Sequence, residues 1–386
     1  MSNKTILKGI AWDHPRGYEP LIATSEVFER KHPKVKIDWD IRSLKAFGDM
    51  PIETLIEQYD LITIDHPYMG QAHTNQLLLP LENRLSAVFL NQLAQQTIGP
   101  SFSSYYYEKH LYALPIDAAA LVAAFRKDLL EQLQVDLPKR RSQLFDFYKK
   151  LLSGYSVAWP LCPTDLWCSF LSLCAQDAGP GFIQNRSINE QVGAQVLDEL
   201  KRHLEYLHPM SINWNPIQVL DYMSTKEDLV YAPFLFGYTN YARKHYVKHI
   251  IHFSNSPNNA QNNISTIMGG VGLAISAKTR SPELALAYLN YVADPDTQRT
   301  IYTQFGGQPA TLEAWQDEIN NKLCHNFFKD TLETMEKAYV RPQHSAWNEF
   351  QEQAAELLHQ GLLKNHSSSI MMKKLNQLYQ TIAYDI

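Results

Sequence analysis

The sequence lacks several things, and each absence excludes a class of function. No apolar run approaches the roughly 20 residues that a membrane-spanning helix needs, so direct membrane insertion is not expected. No long basic run appears, and 35 Lys and Arg against 40 Asp and Glu leave a net charge of −5. Nucleic acid and anionic membranes are therefore not expected as partners. Cysteine is scarce: Cys162, Cys168, Cys174 and Cys324 show neither C-x-x-C spacing nor a paired framework. They are expected to be free thiols, which suit a reducing compartment. The start, MSNKTILKGIAW, moves straight into a strand-like pattern without the basic, apolar and small-residue regions of a secretory leader. As it stands the sequence reads as cytoplasmic, and as periplasmic if a leader has been removed. G-x-S-x-G, H-E-x-x-H, P-loop and kinase signatures are missing too, and GGVG at 269–272 lacks the strand-turn-helix context of a dinucleotide site.

What is present is an ordinary globular composition, 45% hydrophobic and 19% charged over 386 residues, enough for two domains or one large one. ILKGIAW reads as a buried strand, EPLIATSEVFERK as a helix stopped by a proline, VKIDWDI and YDLITID as further strands, and PIETLIEQ as a short helix. Strands alternating with helices predict right-handed crossovers and a largely parallel sheet, with ligands beyond the carboxyl ends of its strands. LYALPID reads as a strand leaving the first domain, and AAALVAAFRKDLL as a helix. Helices follow around SQLFDFYKKLL, TDLWCSFLSLCA and AQVLDELKRHLEYL. After a polar loop at 256–263 come a strand, MGGVGLAISA, a helix, PELALAYLNYVA, and a helical end broken by Arg341-Pro342.

The tetrapeptides WDHP (12–15) and IDHP (64–67) each end a predicted strand. Their Asp and His supply hydrogen-bonding groups, and the proline stiffens the corner. A single such corner is an ordinary turn, with Asp as its cap. Two copies on one sheet rim point to a shared ligand. Two Asp and two His could also hold Zn, Fe or Mn, but adjacent side chains of an extended chain diverge, so no metal is expected, and no cofactor.

YDLITIDHPYMGQAHTNQLLLPLE, HLYALPIDAAALVAAFRKDLL, YAPFLFGYTNYAR, MGGVGLAISAKTRSPELALAYLNYVADPDTQ and GGQPA, taken in this order, resemble the family 1 extracellular solute-binding proteins of ABC transporters, the maltose-binding-protein-like group. The resemblance covers nearly the whole chain. It implies an α/β, two-lobed periplasmic-binding-protein-like fold of type II, with a ligand cleft between lobes that close by hinge motion. The lobes would be 1–115 with 271–312, and 116–270 with 313–386. A small polar ligand such as a sugar or polyol, an ABC-transporter permease as partner, a monomeric state and no catalysis follow from the same likeness. The alternatives are an enzyme or an intracellular ligand sensor on this fold, or a binder of a small organic acid.

The resemblance sends Asp13, His14, Asp65 and His66 to the first lobe's face of the cleft, and Asp117 to the crossing strand, where Asp is also a good helix cap. Trp159 and Asp165 fall in a loop of the second lobe that the match turns toward the ligand, with core packing and helix capping as the other reading. Tyr238, Asn240 and Tyr241 belong to the aromatic block, where the competing role is core. Gly270, paired with Gly269, permits close backbone approach or a bulge. Arg341 and Trp347 lie where a late helix reaches the cleft. Arg341 could pair with a ligand anion, or with Asp13 or Asp65. Together with Arg16 and Arg42 near strand ends it keeps the acidic ligand open, against the usual solvated fate of Arg.

Overall fold

The computed structural model describes residues 4–44, 51–259 and 263–384. Of the polar loop expected at 256–263, residues 260–262 lie outside that set. Strand β1 (Thr5–Trp12) leads into helix α1 (Pro15–Lys31) and then β2 (Val35–Arg42). His14 starts α1: its extended backbone and its ring Nδ1, which accepts from the N–H of Arg16, make it the N-cap, and Pro15 supplies the first helical turn. The helix ends at Lys31, two residues before Pro33. β1 pairs in parallel with β2 along its length, and on its other side with β3 (Leu61–Ile64). The carboxyl ends of β1 and β3 are thus neighbours, and both Asp-His-Pro corners stand on the same rim.

Five further strands complete one eight-stranded sheet: β4 (Ala113–Phe125), β5 (Ser156–Val157), β6 (Leu229–Phe236), β7 (His252–Ser254) and β8 (Met268–Ile275). The order is β2-β1-β3-β8-β4-β6-β5, with β7 also on β4. The expectation of a largely parallel sheet is corrected here. β8 runs antiparallel to both β3 and β4, and β6 and β7 run antiparallel to β4. Only the strands joined by helical crossovers stay parallel; those that return from the second half run the other way.

The expected helix over AAALVAAF is also corrected, since these residues form the second half of β4. Alternate side chains enter different cores: Ala118, Ala120, Val122 and Ala124 one, Leu121 and Ala123 another. A strand buried on both faces has no polar residues to reveal its period of two, and tertiary packing overrides alanine's helix preference.

The buried apolar residues gather in three clusters, one of them packed on the crossing strands β4 and β8 through Ala118, Val122 and Met268. One cluster takes Leu7, Ile10, Leu61 and Leu111–Ile116 together with Leu273–Ile275 and residues of helix α4 (Pro282–Ala293), numbered here after the helices of the second lobe. Those are α2 (Pro163–Ala178) and α3 (Glu190–Leu204), joined later by α5 (Trp347–Leu363) and α6 (Ser368–Tyr384). They build a second cluster around Trp159, Trp167 and Trp347. Both β4 and β8 pass from one cluster to another, and the changeover falls near Asp117 and Gly270. There the pairing of the two strands slips between Val271 and Gly272. Gly270 has φ 106°, and a Cβ on it would lie 2.4 Å from the Asp117 carbonyl oxygen, so only glycine fits without strain. Among the described residues no helix is long and apolar enough to cross a membrane.

Candidate ligand-binding site

The junction between the lobes is built first from the β1 corner. Arg16, in the first turn of α1, is buried and reaches the crossing strand: Nε and Nη2 donate to the two carboxylate oxygens of Asp117 at 2.8 and 2.5 Å. Its Nη1 continues to the carbonyl of Gly237 in the second lobe, 2.8 Å away. Burial pushes the Asp117 carboxyl up, and the guanidinium pulls it back. Arg16 itself is held above its ordinary value despite burial, because the carboxylate lies bidentate against it. His14 and Arg16 both lie against Tyr238, whose ring centre is 4.6 Å from the imidazole and 4.8 Å from the Arg16 guanidinium carbon. Burial, aided by the charge of Arg16, lowers His14 to about 3.

The β3 corner is built in the same way. Asp65 accepts from its neighbour's backbone N–H, His66 N at 2.8 Å, and from Arg341 Nη2 of the second lobe at 2.5 Å. Burial alone would raise this carboxyl, but Arg341 and His66 outweigh it and hold Asp65 well below the usual range. His66 is fully buried, and burial lowers its imidazole. Two of the four carboxylates that sequence reasoning proposed for the site, Asp65 and Asp117, therefore each carry an arginine. Asp13 is exposed at the rim, held by its N–H on the Arg42 carbonyl at 2.8 Å.

The residues of these ion pairs and their neighbours carry buried polar atoms without a protein partner. They include Nε2 of His14 and of His66 and the hydroxyl of Tyr302 from the first lobe, and Nε of Arg341 from the second. Thr239 Oγ1 and Asn240 Oδ1 come from the turn after β6. Each such group costs about 1–3 kcal/mol if left unmatched, so the junction suits a guest rich in hydroxyls. Asp165, in the first turn of α2, accepts from the Cys162 thiol at 3.0 Å, and burial raises it to about 7. Gly270 lies at the crossing of the strands, where it meets Asp117 rather than open space.

The two tryptophans are placed elsewhere than expected. Trp159 is fully buried in the second-lobe core, stacked on Phe234 at 4.7 Å, with its indole N–H on Ser169. Trp347 is equally buried among Trp167, Phe350 and Tyr379. Neither offers an open aromatic face: Trp159 is covered by Phe234 and by Ser169 of α2, and Trp347 packs α5 against Trp167 of α2. Sequence reasoning missed Gln308, which binds both the Ala118 carbonyl and the Thr239 N–H, and the interlobe donors Gln343 and Asn348. GGQPA carried the first in a recognised block; the other two had no sequence signal.

The fold and this junction define a two-lobed binding protein, and the chain belongs to the bacterial extracellular solute-binding protein family, whose profile matches residues 11–299. Among solved structures it is similar to maltose-bound MalE3 of T. maritima, with TM-score 0.84, 14% identity and coverage of 98% of this chain and 99% of that one. An ABC-transporter solute-binding protein of Agrobacterium radiobacter K84 in complex with ribitol gives 0.82, 15% and 99% of both chains. One from Thermotoga lettingae TMO, bound with α-D-tagatose, gives 0.82, 16%, 98% and 100%. No curated protein matches the chain by sequence.

Proposed function

We propose that the protein captures a small, neutral, hydroxylated ligand between its lobes, without catalysis, and delivers it to an ABC-transporter permease outside the cytoplasmic membrane. The lobes that move are residues 1–115 with 271–312, and 116–270 with 313–386. One observation carries the ligand class: the junction's carboxylates already face arginines, while hydroxyl, imidazole and amide atoms beside them are buried without partners. A neutral ligand satisfies those atoms without adding uncompensated charge. Relatives bound to maltose, ribitol and tagatose support the same class. His14, His66, Tyr238, Asn240 and Arg341 are assigned to ligand contact. Asp65 and Asp117 act chiefly by orienting their arginines.

The test is a thermal-shift screen of sugars, polyols and small organic acids, followed by calorimetry. At a hundred times Kd a ligand adds about 2.7 kcal/mol of stability. For a chain of this length melting as one unit that is about 3 °C in Tm. Shifts confined to organic acids would replace the neutral ligand by an anion. No shift and no binding heat with any of them would overturn the reading.

A further inference from the structure

We propose that residues 341–348 form a strap that holds the lobes together by protein–protein contacts of its own, so that the chain is largely closed before a ligand arrives. The inference rests on the two-lobe binding reading and adds how its closure is set. The strap starts at the second-lobe end of the crossing strands. The N–H of Tyr339 donates to the Thr266 carbonyl, and the Met268 N–H donates to the Tyr339 carbonyl. It then reaches the β3 corner of the first lobe at successive points. Arg341 holds Asp65 at 2.5 Å, and Gln343 Nε2 donates to the carbonyls of His66, at 3.0 Å, and Ser104. Asn348 Nδ2 donates to the Pro67 carbonyl at 3.3 Å.

The main chains also touch. A Cβ at Gly70, in the short helix Met69–Thr74, would lie 1.9 Å from the Gln343 carbonyl oxygen and 2.8 Å from the His344 carbonyl carbon. The far end of the strap is fixed, because Trp347 is locked in the second-lobe core. A rotation about Asp117 and Gly270 must therefore break these contacts together, and every one of them joins protein to protein. Closure favoured in this way raises the fraction of molecules competent to hold a ligand, and makes entry wait for opening.

Gly70→Ala tests the strap through shape alone. The helix backbone at this position accepts alanine, while the added methyl forces the lobes apart. The protein is refolded from guanidinium and dialysed to remove copurified ligand, then measured by small-angle X-ray scattering with nothing added. The parent is expected to scatter as the closed form. Gly70→Ala should shift to a larger radius of gyration while still melting cooperatively, and Gln343→Ala, which removes two interlobe bonds without a clash, should shift the same way. A parent that scatters as an opened form overturns the proposal, as does a closed parent whose variants are equally closed. If Gly70→Ala does not fold, Gln343→Ala decides. Because no ligand is present, failure here leaves the binding reading standing, and failure of the ligand screen leaves this measurement intact.

Discussion

His14 is committed on one side and available on the other. Its Nδ1 accepts from the Arg16 N–H at 3.0 Å, which places the ring proton on Nε2, the buried atom without a partner. Burial, which disfavours a charged ring, is the larger cause of its lowering to about 3, and the positive charge of Arg16 beside it adds to the effect. The folded value lies below the unfolded one, so the unfolded chain binds more protons between about pH 3 and 6.5. Stability from this group is present above about 6.5 and is lost as pH falls toward 3, at up to about 1.4 kcal/mol per pH unit. His14→Asn keeps a good helix cap and cannot protonate. Urea unfolding from pH 4 to 7 should therefore show a shallower fall in acid for the variant than for the parent. Equal slopes would place His14 in water rather than in the junction. The sequence showed His14 and Asp65 at strand ends because rhythm and proline mark such ends. It offered Asp65 as one of several partners for Arg341 but could not choose among them, since a pairing across 276 residues of chain is decided by the fold.

Among the elements, β4 and β8 do the joining, and they were legible to different degrees. β8 was read correctly from its glycines and apolar run, and α1, β1, β2 and β3 from their periodicity. The second half of β4 was not, because an all-apolar strand and a buried helix look alike in sequence. Trp159 and Trp347 failed for a related reason: sequence gives the residue type and its place on an element, not whether the ring turns to a core or to a cleft. Gly270 is the point where β8 depends on one residue. Gly270→Ala would hold a side chain at φ 106° and press its Cβ against the Asp117 carbonyl. The backbone term alone costs about 1–3 kcal/mol, and a loss of at least that size is expected in urea unfolding. A change under about 0.5 kcal/mol would mean that the strand crossing can relax around it.

At the scale of the molecule, the four thiols are free, three of them buried and Cys162 half-buried. Burial pushes the Cys162 thiol up, with Asp165 adding to the effect, so its reactive thiolate is scarce near neutral pH. A disulfide-exchange dye should find no fast-reacting thiol in the folded protein and four after guanidinium unfolding, and reductant should leave Tm unchanged. A rapid burst from the folded protein, or fewer than four thiols on unfolding, would contradict this arrangement. The division of the first-lobe core between residues before 117 and residues after 272 also sets an order of assembly during synthesis. A ribosome delivers β1, β2 and β3 early, yet their sheet stays unfinished until β8 and α4 emerge, more than 150 residues later. Contacts that distant in the chain make folding slow. Throughout that wait β3 presents an unpaired edge to which another chain can add a strand.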